Sequence, residues 1–340
     1  MKVKSLYLES PGNVQVHLEE FSAIESDLAV VRVLSAGICA ADKYLFSGDH
    51  PWSIEYPIVA GHEIFGEVVE LPSRTTALDV GDLVTAQVKI PCMRCEFCTR
   101  SRFNLCVAGC HFGSCHKGAF SEYMRFPLGT RAHRFNAYVD PAVGALAETF
   151  ANAFYCLELG KAAEASRLLI LGAGSIGLAI ATICRKQFPH LEIWVHTGSQ
   201  QKVELLHSLG VATTASSDVD FSSIQDSFDL VVECSGYAPN VDIGFSAIKP
   251  GGKFIQYGVF RERVSVDMNV IGEFKEIQII GGHLASDSAF AASTEFLINF
   301  PEDVRMLVTR EVSFEDFTSA FNPHNDLQVK TIFRPVKELV

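Results

Sequence analysis

The sequence predicts an α/β fold in which a doubly wound parallel sheet is inserted into a mainly β domain. Two observations support this prediction. The chain changes near residue 150 from short β-like runs to strands that alternate with helices, and it returns to mixed structure near residue 284. Its 340 residues are about twice the length of a common domain. We therefore expect residues 1–150 plus 284–340 to form one domain and residues 151–283 to form another.

The first segment is rich in Gly, Pro and short apolar runs such as LAVVRVLSAG, FGEVVEL and DLVTAQV. Such runs between turn residues are typical of irregular, largely antiparallel β structure. The middle segment differs, because RLLILGAGSIGLAIATICRKQF has the pattern of an apolar strand, a glycine turn and a helix. Further strands (LEIWVHT, FDLVVECSG, KPGGKFIQYGV and IQIIGGH) and the helix SQQKVELLHSLG follow it. Alternating strands and helices predict a parallel sheet with helices on both faces.

Composition limits the partners that the chain can have. The formal net charge of −12 argues against nucleic acid or an anionic membrane surface as a main partner. No run of about 18 apolar residues occurs, so no membrane span is expected. The N-terminus alternates like a strand and does not resemble a signal peptide. Ten cysteines without a secretion signal favour the reducing cytoplasm, where clustered thiols are more often metal ligands than disulfides.

Four cysteines lie close together in the polar segment PCMRCEFCTRSRFNLC, with the spacing Cys-x2-Cys-x2-Cys-x7-Cys. Four thiolates in one short loop can complete a tetrahedral shell around zinc and leave no open position, which makes such a site structural. The alternative, a set of buried free thiols, is disfavoured by the charged flanks. We expect a structural zinc ion bound by Cys92, Cys95, Cys98 and Cys106.

A second possible metal site is open. Cys39 is followed by Asp42, and the later GHE supplies His62 and Glu63. A thiolate, an imidazole and a carboxylate suit zinc, and three protein ligands leave a fourth position for water or substrate. Asp42 is suited to hold the other ring nitrogen of His62. On spacing alone, the alternative that these are unrelated structural residues stays open.

A glycine loop, LLILGAGSIGLA, directly follows an apolar strand and opens a helix. Its glycines permit a tight turn and a close backbone approach, and the helix N-terminus suits a pyrophosphate. The alternative is a glycine-rich turn without a ligand. We expect a dinucleotide at Gly172, Gly174, Ser175, Ile176 and Gly177.

The end of the second strand bears on the choice of dinucleotide. An acidic residue there would bind the ribose 2′-hydroxyl of NAD, but the sequence is WVHTGSQQK. Without a carboxylate, a 2′-phosphate meets no repulsion, and Thr197, Ser199, Gln200 and Lys202 can donate hydrogen bonds or charge. No arginine, the better phosphate clamp, is present there. We expect NADP(H) to be preferred over NAD(H).

These elements, in this order, resemble the medium-chain zinc-dependent alcohol and polyol dehydrogenase superfamily over nearly the whole chain. AGIC-x2-D resembles its first catalytic-zinc motif and GHE-x2-G its second. VGDLV, the four-cysteine loop, GAFSEY, FDLVVECSG and KPGG follow in the family's order. The resemblance implies a Rossmann domain inserted in a GroES-like catalytic domain, with two zinc ions per chain. The catalytic ion would be held by Cys39, His62 and a glutamate.

Within the superfamily, GALAETFANAF resembles the segment of sorbitol, threonine and glucose dehydrogenases in which a glutamate lies near the zinc, and Glu148 falls there. Liver-type alcohol dehydrogenases have a cysteine nearby instead. Glu63 or Glu148 would then be the variable ligand, directly or through water. The alternative for Glu148 is a helix N-terminal residue at the domain junction. ICAAD, RKQFPHLEIWV and FDLVVECSG also resemble ribitol-5-phosphate dehydrogenases, which are similar in favouring NADP but usually lack the four-cysteine loop.

One departure from the family concerns proton transfer. The family typically has Ser or Thr two residues after the first zinc cysteine, and this chain has Ala41. Tyr44, Glu63, Glu148 or an ordered water would have to take over, and Tyr44 is nearest along the chain. The alternative for Tyr44 is an aromatic residue that lines the substrate pocket.

The resemblance implies hydride transfer between NAD(P) and a secondary alcohol or carbonyl of a polyol, sugar or sugar phosphate. Relatives are commonly homodimers or homotetramers, and KPGGKFIQYGVF is a possible edge strand for association. A catalytically inactive nucleotide-binding relative is the alternative from a different class. A metal-independent quinone or enone reductase is disfavoured, because such proteins usually lack both zinc motifs.

Overall fold

The computed structural model describes residues 1–24, 27–50, 54–72, 77–211, 213–215, 224–321 and 328–335. The chain forms two compact units. The first is Met1–Ala151 together with Ala285–Val340, and the second is Asn152–Leu284. The second unit is thus a single insertion in the first.

The strands, in chain order, are β1 (Lys2–Ser10), β2 (Asn13–Glu20), β3 (Asp27–Ile38), β4 (Glu63–Glu70), β5 (Leu83–Ala86), β6 (Lys89–Ile90), β7 (Cys110–His111), β8 (Tyr123–Pro127), β9 (Ala132–Arg134), β10 (Arg167–Leu171), β11 (Glu192–His196), β12 (Thr213–Ala215), β13 (Phe228–Glu233), β14 (Ile248–Gln256), β15 (Gln278–Gly281), β16 (Val308–Val312) and β17 (Lys330–Phe333). The α-helices are α1 (Ala40–Ser47), α2 (Glu96–Thr99), α3 (Pro141–Gly144), α4 (Ala147–Gly160), α5 (Ser175–Gln187), α6 (Gln200–Ser208), α7 (Pro239–Ala247), α8 (Asp287–Asn299) and α9 (Pro301–Arg305).

The first unit is built on a seven-stranded sheet in the order β16-β17-β3-β4-β5-β9, with β8 also paired to β3. Its pairs are antiparallel except for β16 with β17. Aromatic side chains join the returning C-terminal segment to its core. Phe317 and Phe333 pack edge-on against Phe120, with ring centroids 4.9 and 5.7 Å away. Burial of these rings explains why the segment after Ala285 belongs to the first unit.

The second unit contains a six-stranded sheet in the order β12-β11-β10-β13-β14-β15, and all its pairs are parallel. The central strands are apolar and buried; Leu168 to Leu171 on β10 are all 0% exposed. Such runs are expected where helices cover both faces of a parallel sheet. The prediction of an α/β fold, with a doubly wound parallel sheet inserted in a mainly β domain, is therefore confirmed.

The order of the strands corrects one expectation and locates a crevice. KPGGKFIQYGVF was expected to offer an edge strand, but β14 lies between β13 and β15, so that expectation is wrong. Among the described strands, β15 and β12 are the two edges of this sheet. The direction of winding reverses between β10 and β13, and ligands of open α/β sheets bind where the carboxyl ends of two such strands diverge.

Candidate active site and metal centres

Strand pairing brings together the residues of the predicted open metal site. Strands β3 and β4 are antiparallel, and Gly37 is paired with Glu63. The residue after β3, Cys39, therefore lies near the residue before β4, His62. One ligand atom from each of Cys39, His62 and Glu63 lies within 4.8 Å of the others. A thiolate, an imidazole and a carboxylate at this separation can share one zinc ion.

Asp42 holds both halves of this site. Cys39 is the N-cap of α1, and its amide donates to Asp42 Oδ2 at 2.8 Å. The Gly61 amide donates to Asp42 Oδ1 at 3.3 Å, and His62 Nδ1 lies 3.7 Å from that oxygen. A carboxylate beside Nδ1 favours a proton there and leaves Nε2 for a metal. Burial lowers the pKa of His62, but Asp42 and Cys39 outweigh it and raise that pKa well above its ordinary value.

Glu63 forms a buried ion pair that the sequence analysis missed. Both carboxylate oxygens are bonded by Lys330 Nζ from β17, and Thr149 Oγ1 donates to Oε2 at 3.4 Å. The Glu63 and Lys330 side chains are each 2% exposed. Burial lowers the pKa of Lys330, but Glu63 and Cys39 raise it above its ordinary value, so the lysine stays charged. A lysine in the apolar run KTIF was the one signal available in the sequence.

Glu148 and Tyr44 lie in the same unit. Glu148 is in the first turn of α4 and 5% exposed, and its charge acts on both His62 and Lys330. Among the described residues, the set of ligand atoms within 4.8 Å does not include it. Tyr44 is partly exposed in α1, in the helix that Cys39 caps. Their predicted roles, as variable ligand and as proton acceptor, remain predictions.

The four cysteines of the predicted structural zinc site converge. Cys92 Sγ is 4.0 Å from Cys98 Sγ, and Cys95 Sγ is 3.5 Å from Cys98 Sγ and 3.8 Å from Cys106 Sγ. Four sulfurs each 2.3 Å from a common zinc would lie about 3.8 Å apart, so these separations fit a tetrahedral ion. A hydrogen bond from the Cys98 amide lowers the pKa of Cys95 to about 6, which favours the thiolate that a metal needs.

A buried lysine accompanies this cluster. Lys89, on β6, is 8% exposed, and its ammonium donates to the carbonyls of Asn104 and Cys106, both at 3.1 Å. Burial raises the pKa of Cys98 to about 12, so the clustered thiols would not all ionise without a cation. A bound zinc with four thiolates carries two negative charges, and Lys89 is placed to offset part of that charge.

The glycine loop lies at the carboxyl end of β10, at the crevice in the parallel sheet. Gly172 has φ +114°, which favours glycine, and a Cβ there would lie 2.8 Å from the Cβ of Ser235 after β13. A Cβ on Gly177 would overlap the carbonyl oxygen of Gly172, so only glycine lets α5 approach the loop. Gly174 caps α5 without a side-chain hydrogen bond, and a Cβ there would meet nothing within 4 Å. The amides of Ser175 and Ile176 therefore begin a helix that can receive a phosphate.

The residues predicted to choose between dinucleotides lie at the start of α6. Thr197 follows β11 and is 8% exposed, and its Oγ1 accepts from the Ser199 amide at 3.3 Å. Ser199 caps α6 by accepting from the Lys202 amide at 3.4 Å. Residues 196 to 202 contain no carboxylate.

Two family models match the chain. The alcohol dehydrogenase GroES-like domain matches residues 25–134, and the glucose dehydrogenase C-terminus matches residues 156–334, more than half of the chain. The chain belongs to the medium-chain zinc-dependent alcohol and polyol dehydrogenase superfamily. The predicted resemblance is thus confirmed, and membership makes the chain an oxidoreductase.

Curated relatives of this dehydrogenase cover most of its length. L-threonine 3-dehydrogenase of Saccharopolyspora erythraea is 31% identical over 77% of this chain and 78% of that protein. Erythritol/L-threitol dehydrogenase of Mycolicibacterium smegmatis is 27% identical over 75% of this chain and 76% of that protein. A zinc-binding dehydrogenase from Sinorhizobium meliloti, solved with NADP bound, is 26% identical with a TM-score of 0.89, over 98% of this chain and all of that one.

Within the part of the chain that the structure describes, no helix has the length and apolar character needed to cross a bilayer. Arg125, on β8, donates from Nε to the Ser22 carbonyl at 2.9 Å and lies over the Phe21 ring.

Proposed function

We propose that this dehydrogenase interconverts a secondary alcohol and its ketone on a polyol, sugar or sugar phosphate, with zinc and NADP(H). The observation that carries the proposal is the convergence of Cys39, His62 and Glu63 within 4.8 Å, in the unit that also holds the four-cysteine cluster. Three protein ligands leave the fourth coordination position of a zinc ion open for a substrate oxygen, whereas four thiolates fill every position.

The residues of the two cysteine-containing clusters suit zinc, and those of the glycine loop suit a dinucleotide. Cys39, His62 and either Glu63 or Glu148 would hold the catalytic zinc, and Cys92, Cys95, Cys98 and Cys106 would hold the structural one. The loop from Gly172 to Gly177 would hold the pyrophosphate. When bound, the catalytic zinc supplies a Lewis acid toward the alcohol oxygen, and the nicotinamide accepts or donates the hydride.

The chain's own residues prepare this chemistry. Asp42 lies 3.7 Å from His62 Nδ1, where its charge favours a proton, and it accepts hydrogen bonds from the Cys39 and Gly61 amides. Lys330 neutralises Glu63, so this carboxylate stays buried beside Cys39 without leaving an uncompensated charge. Because Ala41 has no hydroxyl, Tyr44 is our candidate to receive the alcohol proton through its phenol oxygen.

The cofactor preference rests on the start of α6. A carboxylate there would repel a 2′-phosphate, and none is present between residues 196 and 202. Thr197, Ser199 and Lys202 supply hydroxyls and a cation close to the end of β11. The solved relative from Sinorhizobium meliloti, which binds NADP, is consistent with this choice.

Association with a second copy is also proposed. The outer strand β15 pairs only with β14 among the described strands, and Ile279 on it is 44% exposed. Phe274, just before it, is 65% exposed. An uncovered apolar edge strand favours pairing, so we infer that two copies associate through β15, in a homodimer or a homotetramer. Sedimentation velocity of the wild type and of Ile279→Lys tests this association, and we expect the variant to sediment as a smaller species. We also propose a cytoplasmic location, because the clustered thiols of the metal sites need a reducing compartment.

The test of function is Cys39→Ala. This change removes one ligand of the open site and leaves the second unit untouched. We expect zinc content to fall from two ions per chain to one, turnover to be lost, and NADPH binding to persist. The wild type is assayed over polyols, aldoses and their phosphates with NADP and NAD in parallel. A higher kcat/KM with NAD would refute the cofactor proposal.

The competing function is a nucleotide-binding protein without catalysis. Such a protein would need the glycine loop to bind its nucleotide but would not need a zinc ion with an open coordination position. A wild-type protein that binds NADPH, carries one zinc per chain and turns over none of these substrates would establish it. Ribitol 5-phosphate is included in the substrate panel because that subfamily shares the non-acidic strand end.

A further inference from the structure

A six-residue loop beside the proposed active site is closed by a disulfide. Cys110 and Cys115 are bonded, with Cα atoms 5.8 Å apart. Cys110 belongs to β7, which pairs with β6, so one end of the loop is anchored in the first unit. Neither sulfur belongs to the two clusters of metal-ligating residues found in the described part of the chain.

The bond is accessible to small thiols. Cys115 is exposed and Cys110 is half-buried. The other cysteines outside the metal clusters are Cys156, Cys184 and Cys234, of which Cys156 and Cys184 are buried. The His111 amide donates to Cys115 Sγ at 3.0 Å. An amide that points at a sulfur stabilises its thiolate, the form that exchanges with disulfides.

The loop and the residues after it pack against the backbone that precedes His62. A Cβ on Gly113, inside the loop, would lie 3.0 Å from the Gly61 nitrogen. Just beyond the loop, the amides of Gly118 and Ala119 donate to the carbonyls of Val59 and Gly61, at 2.8 and 2.9 Å. Gly61 is also the residue whose amide donates to Asp42. The loop therefore contacts the segment that positions His62, through backbone contacts that leave little room for adjustment.

We propose that Cys110 and Cys115 form a reversible redox switch that regulates the active site. In the oxidised form the short closed loop holds the Val59–Gly61 backbone in place. In the reduced form the loop gains conformational freedom, and the position of His62 becomes less fixed. As regulation of the same site, this inference rests on the proposed dehydrogenase function.

The chemistry balances with a small-molecule disulfide such as oxidised glutathione. The Cys115 thiolate attacks one sulfur of that disulfide, which forms a mixed disulfide and releases one small thiolate. The Cys110 thiolate then attacks Cys115 Sγ and releases the second. Two electrons pass from the protein to the small disulfide, and the two protons lost from the cysteines end on the released thiolates. Excess glutathione reverses both steps.

The test places the zinc-loaded protein in glutathione buffers of increasing oxidised fraction, without dithiol reagents that would bind zinc. Three quantities are read: alkylation of Cys110 and Cys115 by mass spectrometry, hydrogen exchange of the Gly118 and Ala119 amides, and kcat/KM. We expect one two-electron transition, with faster exchange and a roughly fivefold lower kcat/KM in the reduced protein.

Two variants serve as controls. Cys115→Ser should show the reduced protein's exchange and kcat/KM at every glutathione ratio. Ser114→Ala keeps both sulfurs in the same loop and should respond as the wild type does. Thiols that stay reduced throughout, or a disulfide whose formation changes neither exchange nor kcat/KM, would overturn the proposal. If the protein lacks dehydrogenase activity altogether, alkylation and exchange still decide whether the switch exists.

Discussion

The buried lysine of β17 shows how much one side chain decides at the proposed active site. Glu63 and Lys330 are 267 positions apart in sequence, yet each side chain is only 2% exposed and they bond to each other. Removing two charges from water is costly, and only their mutual attraction offsets that cost. We therefore expect loss of one partner to lower the free energy of unfolding far more than loss of both.

Lys330→Met tests this argument at the residue scale. It leaves Glu63 buried without its cation, and we expect the free energy of unfolding to fall by about 3–5 kcal/mol. The double variant Lys330→Met/Glu63→Gln removes both charges and should recover most of that loss. Denaturant unfolding of the wild type, the single variant and the double variant measures the difference, with the zinc content of each protein determined in parallel. A double variant as unstable as the single one would contradict the argument.

At the scale of elements, an ion-pair network attaches helix α8 to the first sheet. Arg131 binds Asp287, at the start of α8, with Nη2 to Oδ2 at 2.6 Å and Nε to Oδ1 at 3.2 Å. The same guanidinium lies 4.6 Å from the ring centroid of Phe103, which packs against the four-cysteine cluster. His133 stacks on Phe290 of α8 and also faces Asp287. The network thus links the proposed structural zinc loop, the sheet and the returning segment.

This network predicts a pH dependence of stability. Burial works to raise the pKa of Asp287, but hydrogen bonds from His133 and Arg131 outweigh it and lower that pKa below its ordinary value. A carboxylate whose folded-state pKa is depressed stabilises the protein above its unfolded pKa, about 3.9, and loses this contribution as the pH falls through the folded value.

Asp287→Asn isolates the effect. We expect the variant to be less stable than the wild type by about 1 kcal/mol at pH 7, since the pair is partly exposed. The difference should shrink as the pH falls below about 4, because the Asp287 carboxylate of the unfolded wild type is then protonated and that of the folded wild type follows at lower pH. Metal loss at low pH affects both proteins, so the difference between them is the quantity to follow. A gap that stays constant from pH 7 to pH 3 would count against the assignment.

At the scale of the whole molecule, the sequence reveals features whose parts are close together in it. The four-cysteine loop spans residues 92–106, and the glycine loop directly follows its own strand, so spacing alone indicated both. The ion pair between Lys330 and Glu63 was not predicted, because no local sequence pattern relates the two residues. The edge position of β15 was not predicted either, because strand order depends on how the chain winds and not on the residue pattern of a single strand. The Cys110–Cys115 bond was not predicted, because the expectation of a reducing compartment favoured metal-ligating thiols over disulfides.

The insertion of one unit in the other predicts that their functions can be disabled separately. Gly177→Ala places a methyl group against the Gly172 carbonyl and should displace α5 from the loop that would hold the pyrophosphate. We expect NADPH affinity to fall at least about tenfold, which is ~1.4 kcal/mol, while two zinc ions per chain are retained. Cys39→Ala should give the opposite pattern, with one zinc lost and NADPH bound. Isothermal titration with NADPH and metal analysis of both variants make the comparison. A Gly177→Ala protein that loses zinc together with NADPH would show that the damage spreads beyond the unit it enters.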